Sequence, residues 1–170
     1  MMVRPKLPPL AFGIALGLAA AALLVGLAVY LNRGSQTRLE GSILKVRTIA
    51  TDDAASIVVV DFRLKNPARA LFVVRDVTVE ATAADGKKLE GVTVSEPDLD
   101  RVLGYYPLTG PRFNPVLKAR ERLRGGETAD RTIAASFGVS EKELLQRRGL
   151  VVRILDVDGA VAEIAAAPAR

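Results

Sequence analysis

Beyond Leu39 the apolar side chains recur at every second residue, a period that β-strands produce and helices do not. Successive side chains of a strand point to opposite faces of a sheet, so this alternation indicates strands with one buried face. The clearest example places Val58, Val60, Phe62 and Leu64 on one face and Asp61, Arg63 and Lys65 on the other. Roughly seven or eight such strands, with turns at close spacing, predict an immunoglobulin/fibronectin-like antiparallel β-sandwich.

One strand of this sandwich changes phase in its middle. Phe72 and Val74 share one parity, whereas the apolar residues from Val77 onward share the opposite parity. A β-bulge near Arg75-Asp76 would add the one residue that returns both halves to the same buried face. Hairpin turns are predicted at two further dipeptides, Asp85-Gly86 and Asp158-Gly159.

Two short helices are expected between the strands. Ser95 is placed to cap a helix over residues 97–103, with a proline and acidic residues in its first turn. Ser140 and Glu143 form a capping box, which predicts a helix over residues 141–148 that ends at Gly149.

The run Val58 to Val74 is interrupted by the dipeptide Asn66-Pro67. Pro67 has no amide hydrogen and restrains Asn66 to an extended conformation, so the strand ends at this point. The side chain of Asn66 can hydrogen-bond nearby backbone groups and fix the turn. We interpret Asn66 and Pro67 as a structural corner; the alternative is an asparagine held out for a ligand.

The amino-terminal part of the chain contains 25 residues without a charge, from Leu7 to Leu31. About 20 apolar residues cross a bilayer as a helix. We therefore predict a cytoplasmic tail at residues 1–9, a single transmembrane helix at 10–31, a linker at 32–38 and the β-sandwich domain at 39–167. A cleaved signal peptide is the alternative, with Gly26-Leu27-Ala28 as its cleavage site, although the apolar run is long for one.

The orientation of this predicted anchor rests on weak charge asymmetry. Arg4 and Lys6 precede the span and Arg33 and Arg38 follow it, so the positive-inside count is close to a tie. The very short tail favours a cytoplasmic amino terminus and a domain on the exported side, periplasmic or extracellular. Gly13, Gly17 and Ala21 form a small-residue stripe that would allow a homodimer through the helix. Their alternative explanation is that glycine and alanine are common in membrane helices.

Four basic residues recur at every second position: Lys118, Arg120, Arg122 and Arg124. On a strand they would form a row on one face, able to meet lipid headgroups, an acidic envelope component or an acidic protein. The alternative is a solvated edge strand whose charges prevent aggregation. Beyond the apolar segment the basic residues exceed the 19 acidic ones by only three, which does not favour nucleic acid as a partner.

The chain contains neither histidine nor cysteine. Their absence removes serine–histidine and cysteine–histidine catalysis, thiolate metal sites and ordinary zinc hydrolysis. Glu96, Asp98 and Asp100 imitate the start of a calcium loop, but Arg101 stands where that loop needs glycine. We predict no enzyme activity, no metal site and no cofactor; an acid–base enzyme that uses only carboxylates stays open.

Aromatic residues and prolines are concentrated between Tyr105 and Pro115, in one expected loop. Such a loop could form a contact surface or fold back and cap the end of the sandwich; we favour the cap.

An apolar segment followed by VVVDFRLKNP and then LFVVRDVTVEATAADGKKL resembles the group 2 late embryogenesis abundant family and its water-stress and hypersensitive-response domain. In that family a strand ends in Asn-Pro, which Asn66 and Pro67 match, and the turn Gly125-Gly126-Glu127 precedes a strand from Thr128 to Phe137. The resemblance covers residues 43–94 best. It implies a fibronectin-like sandwich without catalytic residues, associated with stress protection or with binding near a membrane.

These observations together predict a membrane-anchored, non-catalytic β-sandwich that is stress-protective or binds a component of the cell envelope. The alternative is a structural or scaffold subunit of a membrane protein complex that interacts through its transmembrane helix.

Overall fold

The structure, a computed structural model, describes residues 9–32 and 39–166. The chain divides into two compact units, Met1–Gln36 and Thr37–Arg170. The predicted tail, apart from residue 9, and the predicted linker, apart from residue 32, lie outside the described residues.

The first unit contains one helix, α1, which spans Pro9–Asn32. It begins one residue before the predicted helix and ends one residue after it. Gly13 and Gly17 are exposed on α1, and nothing lies within 4 Å of the position that a Cβ atom would occupy at either. Among the residues that the structure describes, no helix is found to be long and apolar enough to cross a membrane.

The second unit is built mainly of β-strands. Its elements are, in chain order, β1 (Glu40–Asp52), β2 (Ala55–Lys65), β3 (Phe72–Thr82), β4 (Lys88–Thr93), α2 (Glu96–Tyr105), a 3-10 turn (Pro107–Thr109), β5 (Arg122–Leu123), β6 (Thr128–Phe137), α3 (Glu141–Leu145), β7 (Gly149–Asp156) and β8 (Val161–Ala166). The prediction of a mainly β, antiparallel domain with short helices is confirmed.

The strands form one continuous sheet in the order β1-β2-β6-β4-β3-β7-β8, and β5 pairs with β3. All of these strand pairs are antiparallel. The short β4 bonds to β3 at Val79–Thr82 and to β6 at Ser136 and Ala135, so it joins what would be two separate sheets in a simple sandwich. The sheet therefore curves as a half-barrel around a shared interior.

The main core contains side chains from both halves of this sheet. Val58, Val60, Phe62 and Leu64 of β2 are completely buried against apolar residues of β3, β6, β7 and β8. The phase change in β3 is a β-bulge, as predicted: the pairing with β7 shifts between Val74 and Asp76. Both predicted hairpin turns are present, with Gly86 and Gly159 at positive φ (92° and 86°), a conformation that favours glycine.

A second apolar cluster lies on the other face of β1, β2 and β6. Leu99 and Leu103 of α2 pack there against Ile49, Val59 and Ala134. Asp61, which the alternation places opposite the main core, is consequently buried under this layer and only 2% exposed. The expectation that this face of β2 is polar and solvated is wrong at Asp61, because α2 and the chain that follows it cover that face.

Both predicted helices are present with different bounds. Ser95 caps α2, its hydroxyl accepting from the amide of Asp98. Ser140 caps α3 in the same way, accepting from Glu143. The helix α3 ends at Leu145 rather than Arg148, because the amide of Arg148 already donates to the carbonyl of Thr82 and draws the chain into the sheet (2.7 Å).

Candidate functional site

The predicted row of four basic residues does not lie on one strand. Only Arg122 and Leu123 form β5. Before them the chain turns, and Arg120 adopts a positive φ of 66° while its amide donates to the carbonyl of Val74. The turn occurs because residue 117 is still hydrogen-bonded to Thr132 of β6, so the chain must cross from β6 to β3 within a few residues. The alternation indicated one continuous strand for these four residues, and the structure contradicts it.

The four side chains are all exposed, but their surroundings differ. The ammonium group of Lys118 lies 2.7 Å from the carboxylate of Glu96, and thus belongs to the surface of α2. Arg120, Arg122 and Arg124 have no carboxylate within ion-pair distance in the described part of the chain. Three of the four predicted residues therefore remain available to an external anion.

Asn66 holds the loop that follows β2 against the loop that follows β5. Its completely buried side chain donates through Nδ2 to the carbonyls of Ala70 and Leu123, each at 2.9 Å, and accepts from the amide of Ala68. The backbone of Asn66 also bonds to both Gly126 and Glu127. These bonds give Asn66 the structural role expected of the corner, and they connect segments about 60 residues apart in sequence.

The contact between these two loops is close enough to require glycine. A Cβ atom at Gly125 would lie 2.6 Å from the carbonyl oxygen of Ala68 and 2.7 Å from that of Arg69. The next residue, Gly126, has a positive φ of 80°. The backbone of residues 68–69 thus packs directly on the segment that follows Arg124.

This packing places basic residues of two loops at one end of the sandwich. We call the following five exposed side chains the basic end: Lys65, Arg69, Arg120, Arg122 and Arg124. In the described part of the chain none of the five lies within ion-pair distance of a carboxylate. Their arrangement leaves an exposed positive surface where β2 ends and β3, β6 and β8 begin.

Acidic residues also lie at this end, and several are already engaged, as Glu121 is with Arg131 and Asp130 with Arg63. The carboxylate of Glu127 accepts from the backbone amide of Arg124 at 2.8 Å. Asp156 is buried and accepts from the amides of Val73 and Val157. Glu40 and Asp158 are exposed. The opposite end, by contrast, mixes both signs, including Asp52, Asp53, Asp85, Lys87, Lys88, Lys142, Glu143 and Arg148.

Two apolar side chains project among these charges. Leu71, in the corner loop, is 45% exposed, and Val157, in the β7–β8 hairpin, is 50% exposed. The amide of Val157 donates to the carbonyl of Val73, and Val73 is the register partner of Arg122. Two exposed apolar side chains therefore lie on segments whose backbones neighbour the cationic strand β5.

Sequence reasoning missed two members of the basic end, Lys65 and Arg69. They lie about 50 residues before the row in sequence, and the bonds of Asn66 together with the packing at Gly125 bring their loop to it. Both residues flank the recognised Asn66-Pro67 corner, so that motif already contained the signal.

A buried ion pair forms the second concentration of charge. Arg47 of β1 lies 2.9 Å from Asp61 of β2, with both side chains almost completely buried. Asp61 also accepts from the hydroxyl of Thr132. Arg47 donates to the carbonyls of Thr109, Gly110 and Pro111, so the pair fastens the loop after α2 to the sheet.

The aromatic and proline-rich loop therefore covers the outer face of β1 and β2 and does not cap the end of the sandwich as we favoured. Tyr106 packs with the second cluster, whereas Tyr105, Leu108 and Phe113 remain exposed. A groove of about 430 Å³ runs between this loop and α2. Its one cation, Arg112, is already paired with Glu96 and Asp100.

The charges around Glu96 favour the ionised form of its carboxyl group. Hydrogen bonds from Lys118 and Arg112, in that order, hold the pKa of Glu96 below its ordinary value. The acidic residues at the start of α2 are thus bound to basic side chains or to the cap. Asp98, for example, accepts from Ser95 and Arg101. Within residues 9–32 and 39–166, no group of three or more acidic side chains is arranged to hold a metal ion.

No family model matches the chain, and no curated protein matches it. Among solved structures, an uncharacterized β-sandwich protein from Clostridium difficile 630 is 12% identical with a TM-score of 0.40, and the match covers 75% of this chain and 85% of that one. A similarity at this level carries no argument about function.

Proposed function

We propose that this protein is a non-catalytic β-sandwich, held at a membrane by its amino-terminal segment, which binds an anionic component of the cell envelope through its basic end. The proposal depends most on one observation, the five exposed basic side chains without an ion-pair partner among the described residues. Cations on a surface bind anions best when no neighbouring carboxylate already neutralises them.

The buried polar groups support a binding role over a catalytic one. Asn66, Asp61 and Arg47 are occupied in fastening loops to the sheet, and Asp156 accepts two backbone amides. A catalytic carboxylate needs free access to a substrate in a cleft. The exposed arginines instead offer guanidinium groups, which bind phosphate and carboxylate well.

The membrane part of the proposal rests on the sequence. The 25 residues from Leu7 to Leu31 contain no charge, and about 20 apolar residues are enough to cross a bilayer as a helix. In this proposal the segment is a single uncleaved span, with the sandwich on the exported side.

The assignment to an immunoglobulin/fibronectin-like fold, and to the late embryogenesis abundant family with its stress-protective role, is a finer part of the same proposal. It is supported by Asn66-Pro67 at the end of β2 and by the Gly-Gly-Glu turn directly before β6, which spans Thr128–Phe137.

An affinity column tests the binding site. The full chain in mild detergent is loaded on immobilised heparin, a polyanion, and eluted with salt. Charge reversal at Arg122→Glu and Arg124→Glu should lower the eluting salt concentration markedly. The control, Lys87→Glu with Lys88→Glu, changes net charge equally at the opposite end and should lower it far less. Equal shifts for both variants would show that only net charge matters and would refute the basic end as a site.

Fractionation of cells tests the anchor. The full chain should remain in the membrane pellet after a carbonate wash, with its amino terminus intact by mass measurement. A soluble chain shortened after Ala28 would instead identify a secreted domain. Native size in mild detergent tests the scaffold alternative, since a subunit of a complex would migrate with other proteins.

A further inference from the structure

We infer that the anionic component is the phospholipid of the bilayer itself, and that the basic end docks on its headgroups with Leu71 and Val157 inserted between them. This inference rests on the proposed function and names the partner of the same site. Three features of the basic end lead to it: its charge, its apolar tips and its position along the chain.

The charges are arranged for a surface rather than for a small ligand. Arg69, Arg122 and Arg124 come from two loops and one strand, and all three side chains are exposed. A lipid surface offers many phosphates side by side, and each arginine can bind one through two parallel N–H groups. A basic residue near an anionic membrane strengthens binding about fivefold.

The two apolar tips distinguish a lipid surface from a soluble polyanion. Leu71 and Val157 are about half exposed. Their backbones neighbour β5: Leu71 precedes Phe72, the register partner of Leu123, and Val157 bonds to Val73, the register partner of Arg122. A soluble polysaccharide has no apolar interior into which aliphatic side chains could insert. The boundary between headgroups and acyl chains offers one, and amphipathic membrane-binding surfaces combine apolar and basic residues in this way.

The course of the chain supplies the third feature. The strand β1 starts at Glu40 opposite Lys65, so the chain enters the sandwich at the basic end. The uncharged segment Leu7–Leu31 precedes this entry by few residues. An anchor attached at this end of the sandwich keeps the side chains of the basic end at a high effective concentration near the headgroups.

A single-cysteine label tests the docking in the full chain. Since the protein has no cysteine, the variant Leu71→Cys carries one environment-sensitive dye at the apolar tip. The labelled chain is reconstituted in vesicles of phosphatidylcholine, with or without 30 mol% phosphatidylglycerol (roughly the anionic content that gives a strong surface potential). A quencher attached to lipid headgroups reports the contact. Quenching should appear in the anionic vesicles and decrease at high salt.

Two matched controls locate the contact. A dye at Leu145→Cys, which is 54% exposed on α3 at the opposite end, should not respond to anionic lipid. Neutralising Arg69→Gln, Arg122→Gln and Arg124→Gln should reduce the docked-to-undocked ratio on the order of 100-fold. The same number of changes at the opposite end, Lys87→Gln, Lys88→Gln and Arg148→Gln, should leave that ratio within about threefold, since those side chains lie far from the membrane in the docked state.

The outcomes separate this inference from the proposed function. A chain that floats with neutral vesicles, yet shows no quenching at position 71 that depends on anionic lipid, keeps its anchor and overturns the inference. In a third outcome the wild-type chain floats with anionic vesicles only, and this flotation is lost in the Arg69, Arg122 and Arg124 variant. That outcome supports the docking inference and contradicts the membrane anchor. No flotation with either vesicle overturns both. Binding of a soluble acidic polysaccharide, without quenching at position 71, assigns the basic end to a polymer and also overturns the inference.

Discussion

The side chain of Asn66 determines where several charges of the molecule lie. It is completely buried, and it satisfies two carbonyls and one amide of the backbone. Asparagine suits this position because its amide group both donates and accepts, which a carboxylate of the same shape cannot do. Through these bonds the corner after β2 and the turn before β6 become one surface.

Replacement of Asn66 by alanine should therefore destabilise the domain by about 1–3 kcal/mol, because the carbonyl of Leu123 would be left buried without a donor. Chemical denaturation measures this change. The matched control is Asn114→Ala, since Asn114 is half-buried and makes only a 3.4 Å contact with Asp61. Its cost should stay below about 1 kcal/mol. Similar costs for the two variants would argue against a special role for Asn66.

The buried pair of Arg47 and Asp61 predicts a strong coupling between two residues. Removing one partner leaves an uncompensated charge inside the protein, so Arg47→Met and Asp61→Leu should each cost about 3–5 kcal/mol. The double variant should cost much less than the sum of the two. A double-mutant cycle of unfolding free energies measures this. The exposed pair Arg63–Asp130 provides the comparison and should show a far smaller coupling.

Residue by residue, the sequence predicted local chemistry better than long-range position. Asn66 and Pro67 were identifiable because a proline after asparagine restricts the backbone in a known way. The positive φ of Arg120 was not, because nothing in arginine favours that conformation. The row of alternating charges therefore indicated a strand where the chain turns.

At the scale of elements, alternation predicted the inward faces and the bulge in β3, yet it gave no warning of the second apolar cluster. The reason is that α2 covers β2 through contacts distant in sequence. One signal was present: residues 57–60 are apolar without interruption, which is typical of a strand buried on both faces. Burial of Val59 and Asp61 agrees with that pattern.

The start of α2 predicts a specific response to pH. Hydrogen bonds from Lys118 and Arg112 lower the pKa of Glu96 in the folded state. The stabilisation is thus fully present above the ordinary glutamate pKa and is lost as the pH falls through the lowered folded value. Lys118→Ala or Arg112→Ala should raise the pKa of Glu96 toward its ordinary value.

Titration of the Glu96 carboxyl by NMR measures this shift. Arg101→Ala is the control, because Arg101 pairs with Asp98 and makes no bond to Glu96. An unchanged Glu96 titration in both the Lys118 and Arg112 variants would contradict the ion pairs seen around α2.

At the scale of the whole molecule, the fold depends on how one sheet closes around its core. The order of strands puts β1 and β8 at the two edges, with no hydrogen-bonded pairing between them in the described residues. They nevertheless approach each other. A Cβ atom at Gly41 of β1 would lie 2.6 Å from the Cδ1 atom of Ile164 on β8, and equally close to the carbonyl of Arg63. No sequence pattern predicted this closure, because it arises only when the sheet has curved.

The close approach of β1 and β8 at Gly41 can be tested by the sign of the stability change on Gly41→Ala. Gly→Ala at an unhindered position stabilises a protein by about 0.4–1 kcal/mol, since alanine lowers the entropy of the unfolded chain. Gly104, exposed on α2 with nothing within 4 Å, is such a position and serves as the control. At Gly41 the added methyl group would push against the β2 backbone and Ile164, so Gly41→Ala should instead destabilise the domain by about 1–3 kcal/mol. Denaturation midpoints of the two variants should therefore move in opposite directions. If both rise together, the edges of the sheet are further apart than the structure places them.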